Sequence, residues 1–315
     1  MKKYPLLLKP VIKDYLWGGR RLIEEFGFET DKNIAAEGWM LASHRDGTNT
    51  VLNGELKGKT LDEALKGFGG KGDHFPILIK LIDAKDKLSV QVHPADSYAI
   101  KAEGEPGKTE MWYVVDCEEG AQLIYGFKSE ISKEEFEKRI TENTLDEVMN
   151  YVPVSKGDLF FIEAGTLHAI GKGILIAEIQ QNSNTTYRVS DYGRLGADGK
   201  PRELHVKKAL DVTKTEKPTI PYGAVGEVTQ HSFGSIRSLA ECEYFSVKSV
   251  KLDGGLGINL PHFVSLLVLE GDIALKYEEG LINAKMGDSV YIPENCTVMI
   301  SGKGEFILSS GNRNS

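Results

Sequence analysis

The chain has 315 residues, 41% of them hydrophobic and 27% charged, enough to bury a sizeable core and, at this length, to expect two domains. Its formal net charge of −8 argues against nucleic acid or an anionic membrane surface as a partner, because both reward basic patches. Three scattered cysteines, Cys117, Cys242 and Cys296, with no CxxC pair, argue against a disulfide framework or a thiolate zinc site and suit a reducing cytoplasm.

Near the start, Lys2 and Lys3 precede only five residues, Tyr4 to Leu8, before Lys9 and Pro10 intervene. That is too short for the apolar region of a signal peptide, and no run approaches the length of a membrane span. A cytoplasmic protein is expected. The glycines in Trp17-Gly18-Gly19 and Glu37-Gly38-Trp39 suggest turns and close backbone approach. Thr60-Leu61-Asp62-Glu63 opens a short helix with Thr60 as N-cap and Gly67 as its stop. Residues 75–82 form a buried strand that leads into Asp83-Ala84-Lys85-Asp86-Lys87 and then a strictly alternating run, Leu88 to His93. Period two signals a strand, so Ser89, Gln91 and His93 share one face and Leu88, Val90 and Val92 the other.

Asp96 is expected to cap a helix that ends at Gly104 and the Pro106-Gly107 turn, returning the chain to Glu110. Residues 110–127 read as two strands about Gly120. Two capping boxes, Ser132 with Glu135 and Thr144 with Glu147, mark a small helical insertion before Pro153. Residues 157–179 are again strand and turn, residues 203–212 a helix, and residues 213–223 a linker.

An internal echo sets the architecture. Gly157-Asp158-Leu159-Phe160-Phe161-Ile162 and the turn to His168 align with Gly287-Asp288-Ser289-Val290-Tyr291-Ile292 and the turn to Val298. Each copy follows a hairpin, bent around Gly120 in one and Gly271 in the other. Many short strands in two copies point to an all-β protein of two jelly-roll units of the cupin type, with the small helical insertion. The stretch from Gly157 to His168 resembles the second cupin motif, with Glu163 where proline is usual. A catalytic unit over 1–215 and a smaller degenerate unit over 225–315 are expected. Whether the first strands stay in their own unit is open.

The metal-type residues sit only in the first copy: Gln91, His93, Glu110 and His168 are the expected ligands, and Val298 replaces the histidine in the second. Two imidazoles, a carboxylate and an amide oxygen suit Zn2+, Mn2+, Fe2+ or Co2+ and leave a position open for water or substrate. A lone histidine at a strand end is ordinarily a hydrogen-bonded or surface residue; the grouping of four carries the inference. His44, His74, His205, His231 and His262 lack partners at useful spacing and read as structural or surface residues. The polar run Gln180 to Arg194 is a solvated loop if taken alone. Beside a metal, its Arg188 presents a fixed cation to an anion, and Lys108, two residues before Glu110 on the same strand face, adds a second.

Phe75-Pro76-Ile77-Leu78-Ile79-Lys80 with Leu88 to Pro94, Lys108-Thr109-Glu110-Met111-Trp112, Gly165-Thr166-Leu167-His168-Ala169, and Gln181-Asn182-Ser183 with Tyr187-Arg188 resemble the type I mannose-6-phosphate isomerases, over about the first two thirds of the chain. The resemblance implies a zinc-dependent aldose–ketose isomerase acting on a small sugar phosphate. It implies Gln91, His93, Glu110 and His168 as zinc ligands and Arg188 as catalytic, with Lys108 a further catalytic candidate. Asn184 departs from the aspartate frequent in relatives. The general base is open between Lys108, Glu37 and a metal-bound hydroxide, as are the phosphate-gripping residues and the oligomeric state. The competing readings are another metal cupin enzyme such as an iron dioxygenase, which gives Arg188 and Lys108 no role, and a non-catalytic sugar-phosphate-binding cupin.

Overall fold

The computed structural model describes residues 2–69, 75–196 and 199–311; His74 lies outside the described residues. The protein is all-β, with two jelly-roll units and a small helical insertion. In the first unit two antiparallel sheets face each other. One has six strands in the order Leu159–Ile162, Glu110–Cys117, Ile174–Gln181, Ile77–Ala84, Glu37–Leu41 and Val11–Lys13. The other has five, in the order Met149–Pro153, Gln122–Phe127, His168–Ala169, Val90–Val92 and Tyr187–Ser190.

Alternation along each strand divides the side chains between two cores. Ile82, Val114, Phe160 and Ile176 face inward and meet Leu123, Tyr125 and Val152 of the opposite sheet. Their neighbours Ile79, Leu81, Met111, Tyr113 and Ala177 face outward into a core shared with Leu267, Tyr291 and Ile307 of the second unit. Both faces are covered, so every residue of Ile77–Ala84 and Ile174–Gln181 is buried. Each aliphatic side chain buried in this way contributes about 1.5–3 kcal/mol. The five-stranded sheet turns Val90, Val92 and Tyr187 away from this interior, under the helices Lys133–Thr141 and Val206–Val212.

The second unit curls a nine-stranded sheet around its own core of Val250, Leu266, Val268 and Phe306. Leu6–Lys9 crosses into this sheet and pairs with Ser289–Ile292 on one side and Thr50–Val51 on the other. Among the described residues no helix is long and apolar enough to cross a membrane.

The internal echo extends to individual hydrogen bonds. Gly157 and Gly287 both adopt φ of +89°, which glycine reaches without a Cβ clash. Their N–H groups donate to Val114 O at 2.8 Å and Val268 O at 3.0 Å. Asp158 accepts from Ser155 N and Asp288 from Lys285 N, at 2.8 and 2.9 Å. Glu163 stands where proline is usual, yet its turn forms, because what closes the turn is the carbonyl: Thr166 N donates to Glu163 O as Cys296 N donates to Pro293 O.

Five local expectations need correction, the first being the hairpin about Gly271: Val264–Tyr277 runs as one continuous strand, with a register shift between Val268 and Glu270. The alternating strand is shorter than its pattern, Val90–Val92, and Leu88, ahead of it, packs into the inner core rather than beneath the helices with Val90 and Val92. Asp96 is the first residue of the helix Asp96–Ala102 and not its cap; Ala95 holds that position, and the Asp96 carboxylate instead accepts from Gly107 N at 2.6 Å and Gln181 Nε2 at 3.0 Å. Ser132 caps its helix as expected, but Thr144 makes no side-chain cap to the short 3₁₀ turn Leu145–Glu147. The helix expected over 203–212 begins only at Val206, because residues 203–205 are held in an irregular conformation by Arg188.

Candidate metal centre

The inner face of the first unit changes from apolar to charged along its strands, and the charged end builds the site. Lys80, Glu178 and Trp112 are cross-strand partners on three adjacent strands, with Gln180 and Glu110 paired in a neighbouring row. On the facing sheet Gln91 pairs with both His168 and Arg188. Residues directly opposite share a face, so these three project together toward Glu110, and His93 follows just beyond the same strand.

His93, Glu110 and His168 are each at most 1% exposed, and one ligand-type atom from each lies within 4.8 Å of the others. His93 Nε2 is 3.6 Å from Glu110 Oε2, and His168 Nε2 is 3.6 Å from Glu110 Oε1. The Gln91 amide Nε2 stands 3.3 Å from His168 Nε2, and a half-turn of the amide puts its oxygen there. Ligand bonds of about 2.0–2.1 Å in a tetrahedron imply ligand–ligand edges of about 3.3–3.4 Å, so the four residues fit a divalent ion.

The tautomers fit as well. His93 Nδ1 bonds to Thr185 O at 2.9 Å and His168 Nδ1 to Thr166 O at 2.8 Å. Carbonyls only accept, so each Nδ1 carries the proton and each Nε2 turns a lone pair inward. Burial pushes the pKa of His168 down to about 4 and that of His93 well below the ordinary value; both rings are neutral, the form that binds a metal.

Two buried lysines and two further carboxylates surround this set. Lys108 Nζ lies 2.6 Å from Glu110 Oε2 and 3.6 Å from Glu178 Oε1. Lys80 Nζ lies 3.3 Å from Glu178 and 3.7 Å from Glu37. Trp112 Nε1 donates to Glu178 Oε2 at 2.8 Å, and Trp39 Nε1 to Glu37 at 2.7 Å. Burial, then the neighbouring Glu178 charge, pushes Glu110 up to about 7 against the pull of Lys108. Burial works the same way on Glu178, but Lys108 and Lys80 outweigh it and hold that carboxyl below the ordinary range. Glu110 Oε1 is buried without a hydrogen-bond donor among the described residues, an arrangement that a cation relieves.

A cavity of about 300 Å³ opens beside the ligands, lined by Glu37, Lys80, Lys108, Glu178, Arg188 and Arg202 among others. Arg188 is anchored three ways: its backbone N–H donates to His205 Nδ1 at 3.1 Å, its Nη1 to Glu203 O at 2.9 Å, and its carbonyl accepts from His205 N at 2.8 Å. Its Nε is buried without a partner among the described residues. Asp191 accepts from Arg202 at 2.5 and 2.7 Å and from Arg194 at 2.6 Å, so two guanidiniums share one carboxylate. Burial, followed by the field of Arg202, lowers the pKa of Arg188.

All the site residues expected from the pattern, Gln91, His93, Glu110, His168, Lys108 and Arg188, therefore come together. His44 and His205 do have partners: His44 Nδ1 accepts from Asp46 N, and His205 Nδ1 accepts from Arg188 N. Lys80, Glu178 and Asp191 were not anticipated. The signal for the first two was present: a single charge inside Ile77-Leu78-Ile79-Lys80-Leu81-Ile82 and inside Ile174-Leu175-Ile176-Ala177-Glu178-Ile179 requires a buried partner.

Similarity to known proteins follows the same lines. The family model "Phosphomannose isomerase type I, catalytic domain" matches residues 6–120, and "Mannose-6-phosphate isomerase, cupin domain" matches residues 235–310. Mannose-6-phosphate isomerase ManA of Bacillus subtilis is 42% identical, with 98% of this chain and 96% of that protein covered. Mannose-6-phosphate isomerase of Streptococcus mutans is 37% identical, with 98% of each covered. The crystal structure of the mannose 6-phosphate isomerase from Bacillus subtilis superposes with a TM-score of 0.90 at 37% identity, covering 98% of this chain and 99% of the other. Shared fold, end-to-end identity and both family models lead to one conclusion: the chain belongs to the type I mannose-6-phosphate isomerase family.

Proposed function

We propose that the protein is a cytoplasmic, zinc-dependent isomerase that interconverts mannose 6-phosphate and fructose 6-phosphate through an enediol. The observation that carries this reading is the juxtaposition of a metal-shaped ligand set with a cavity whose walls hold both buried lysines and an arginine-rich rim. When bound by Gln91, His93, Glu110 and His168, zinc supplies Lewis acidity at the sugar's carbonyl oxygen.

The chain's own residues do the rest. Moving hydrogen between C1 and C2 builds negative charge on an oxygen, and Lys108 and Lys80 place preorganised positive charge where water is excluded. The carboxylates of Glu37 and Glu178 keep those ammonium groups paired in the resting site. Glu37 and Lys108 both line the cavity and are the side chains available to carry the proton. Arg188 faces the sugar with an unpaired Nε, while Arg202 and Arg194, locked in place by Asp191, give the rim the net positive charge that a phosphate dianion needs against an overall charge of −8. In this reading the catalytic unit spans 1–215, and the unit over 225–315, lacking the ligands, buttresses the outer face of the six-stranded sheet.

A coupled assay on mannose 6-phosphate with zinc, manganese or cobalt supplied tests the proposal. Turnover is expected with at least one of these ions. None with any of the three, in protein shown to contain metal, refutes it.

A further inference from the structure

His93 presents Nε2 to the metal position only because Nδ1 is committed to Thr185 O at 2.9 Å. A carbonyl orients an imidazole only if it is itself held, and Thr185 lies in an irregular stretch between Ile174–Gln181 and Tyr187–Ser190. Much of the anchorage of that stretch converges on one residue far along the chain. Glu105 Oε2 accepts from Thr185 Oγ1 at 3.1 Å and from Ser183 Oγ and Asn184 N at 3.4 Å each. Glu105 Oε1 meets the Arg45 guanidinium and lies 3.5 Å from His44 Nε2. His44 Nδ1 accepts from Asp46 N at 3.1 Å, so in the neutral ring Nε2 carries the proton and points it at the carboxylate.

Glu105 is 7% exposed, and burying a carboxylate is costly unless it is fully engaged. An ion pair with Arg45 alone could be made at the surface at far less cost. What burial adds is the contact with three consecutive residues, 183–185, the last of which holds His93. None of Glu105, Ser183 or Thr185 offers an atom to the metal position, so their influence runs through the Thr185 carbonyl.

We propose that Glu105 is a positioning residue for the metal centre: it fixes the 183–185 segment so that the Thr185 carbonyl sets the tautomer and aim of His93. The inference rests on the metal-binding part of the proposed function. Partners that orient a metal-bound histidine are typically worth about 10- to 100-fold in affinity, and one further step removed the lower figure is expected.

The test is zinc affinity of the full-length protein, measured by competition with a chromophoric chelator, alongside thermal stability. Glu105→Gln should raise the zinc Kd about tenfold, and Thr185→Val, which removes only the hydroxyl contact, should shift it the same way by less. The double variant should bind zinc no worse than Glu105→Gln, because both act through one carbonyl. Tyr113→Phe, which cuts the 2.7 Å bond to Glu305 in the core between the units, serves as a control that costs stability and leaves zinc affinity alone. A zinc Kd within twofold of wild type in both single variants overturns the inference, as do additive effects or an equal loss in Tyr113→Phe. A wild-type protein that takes up no zinc overturns the proposed function and this inference together, whereas normal wild-type uptake with unmoved variants overturns only the latter.

Discussion

Glu178→Gln removes one negative charge from a cluster in which Lys80 lies 3.3 Å and Lys108 3.6 Å from the same oxygen. The amide keeps the 2.8 Å bond from Trp112 Nε1, so the loss is electrostatic rather than steric. Breaking a buried ion pair by neutralising one partner costs about 3–5 kcal/mol; Lys108 retains Glu110 and Lys80 retains Glu37, which places the expected cost near the lower end. For a chain of this size about 2 °C of Tm corresponds to each kcal/mol, so the metal-free protein should melt about 6 °C lower. Lys80→Met alone should cost a comparable amount by leaving Glu178 with Lys108 only. The double variant Lys80→Met with Glu178→Gln should be less destabilised than the sum of the two by at least about 1 kcal/mol, because each substitution removes the charge that the other deprives of its nearest partner. Differential scanning calorimetry on the four proteins measures this cycle. Strict additivity, or a Tm for Glu178→Gln within 1 °C of wild type, would refute the claim that this carboxylate is the keystone of the lysine pair.

Other outcomes follow from the same geometry. His168→Ala should lose metal and activity together, whereas Arg188→Ala should keep its metal and lose mainly turnover; elemental analysis beside the coupled assay separates the two. Chelation should lower Tm, since any ion that binds only the folded chain stabilises it, by about 2.7 kcal/mol at a free concentration one hundred times its Kd. Asp191→Asn should raise KM for mannose 6-phosphate more than it lowers kcat, because it frees the rim arginines without touching the ligand set. Burial alone would raise the pKa of Asp191, but the bonds from Arg202 and Arg194 outweigh it and bring it below the ordinary 3.8. Its contribution to stability is therefore complete above about pH 4 and fades as pH falls through the folded value. The stability gap between wild type and Asp191→Asn, followed by denaturant titration, should close below pH 4; a gap that widened there would contradict the sign.

Much of the site was legible because strand periodicity is a local property. Alternation put Gln91 and His93 on one face, and the repeated Gly-Asp strand and turn located His168 and revealed that the second copy lacks its histidine. The limits of the reading are equally physical. Lys80 and Glu178 are nearly a hundred residues apart and become partners only through the register of two strands, which no local pattern encodes. Leu88 continues the alternation yet lies outside the strand, because its N–H bonds to Ile170 O rather than to a ladder partner. Asp96 has the chemistry of a cap, but the close approach of Gly107 claims its carboxylate. The helix after residue 203 starts late because His205 is spent on Arg188, a long-range demand that overrides local propensity.

The passage of Leu6–Lys9 into the far sheet carries a consequence for biosynthesis. Because this segment is synthesised well before Ser289–Ile292, its neighbour on one side, that edge stays unpaired until the later strand has been made, and the seam between them closes late. A fragment ending near residue 215 would carry that ribbon with one edge bare, an invitation to intermolecular pairing.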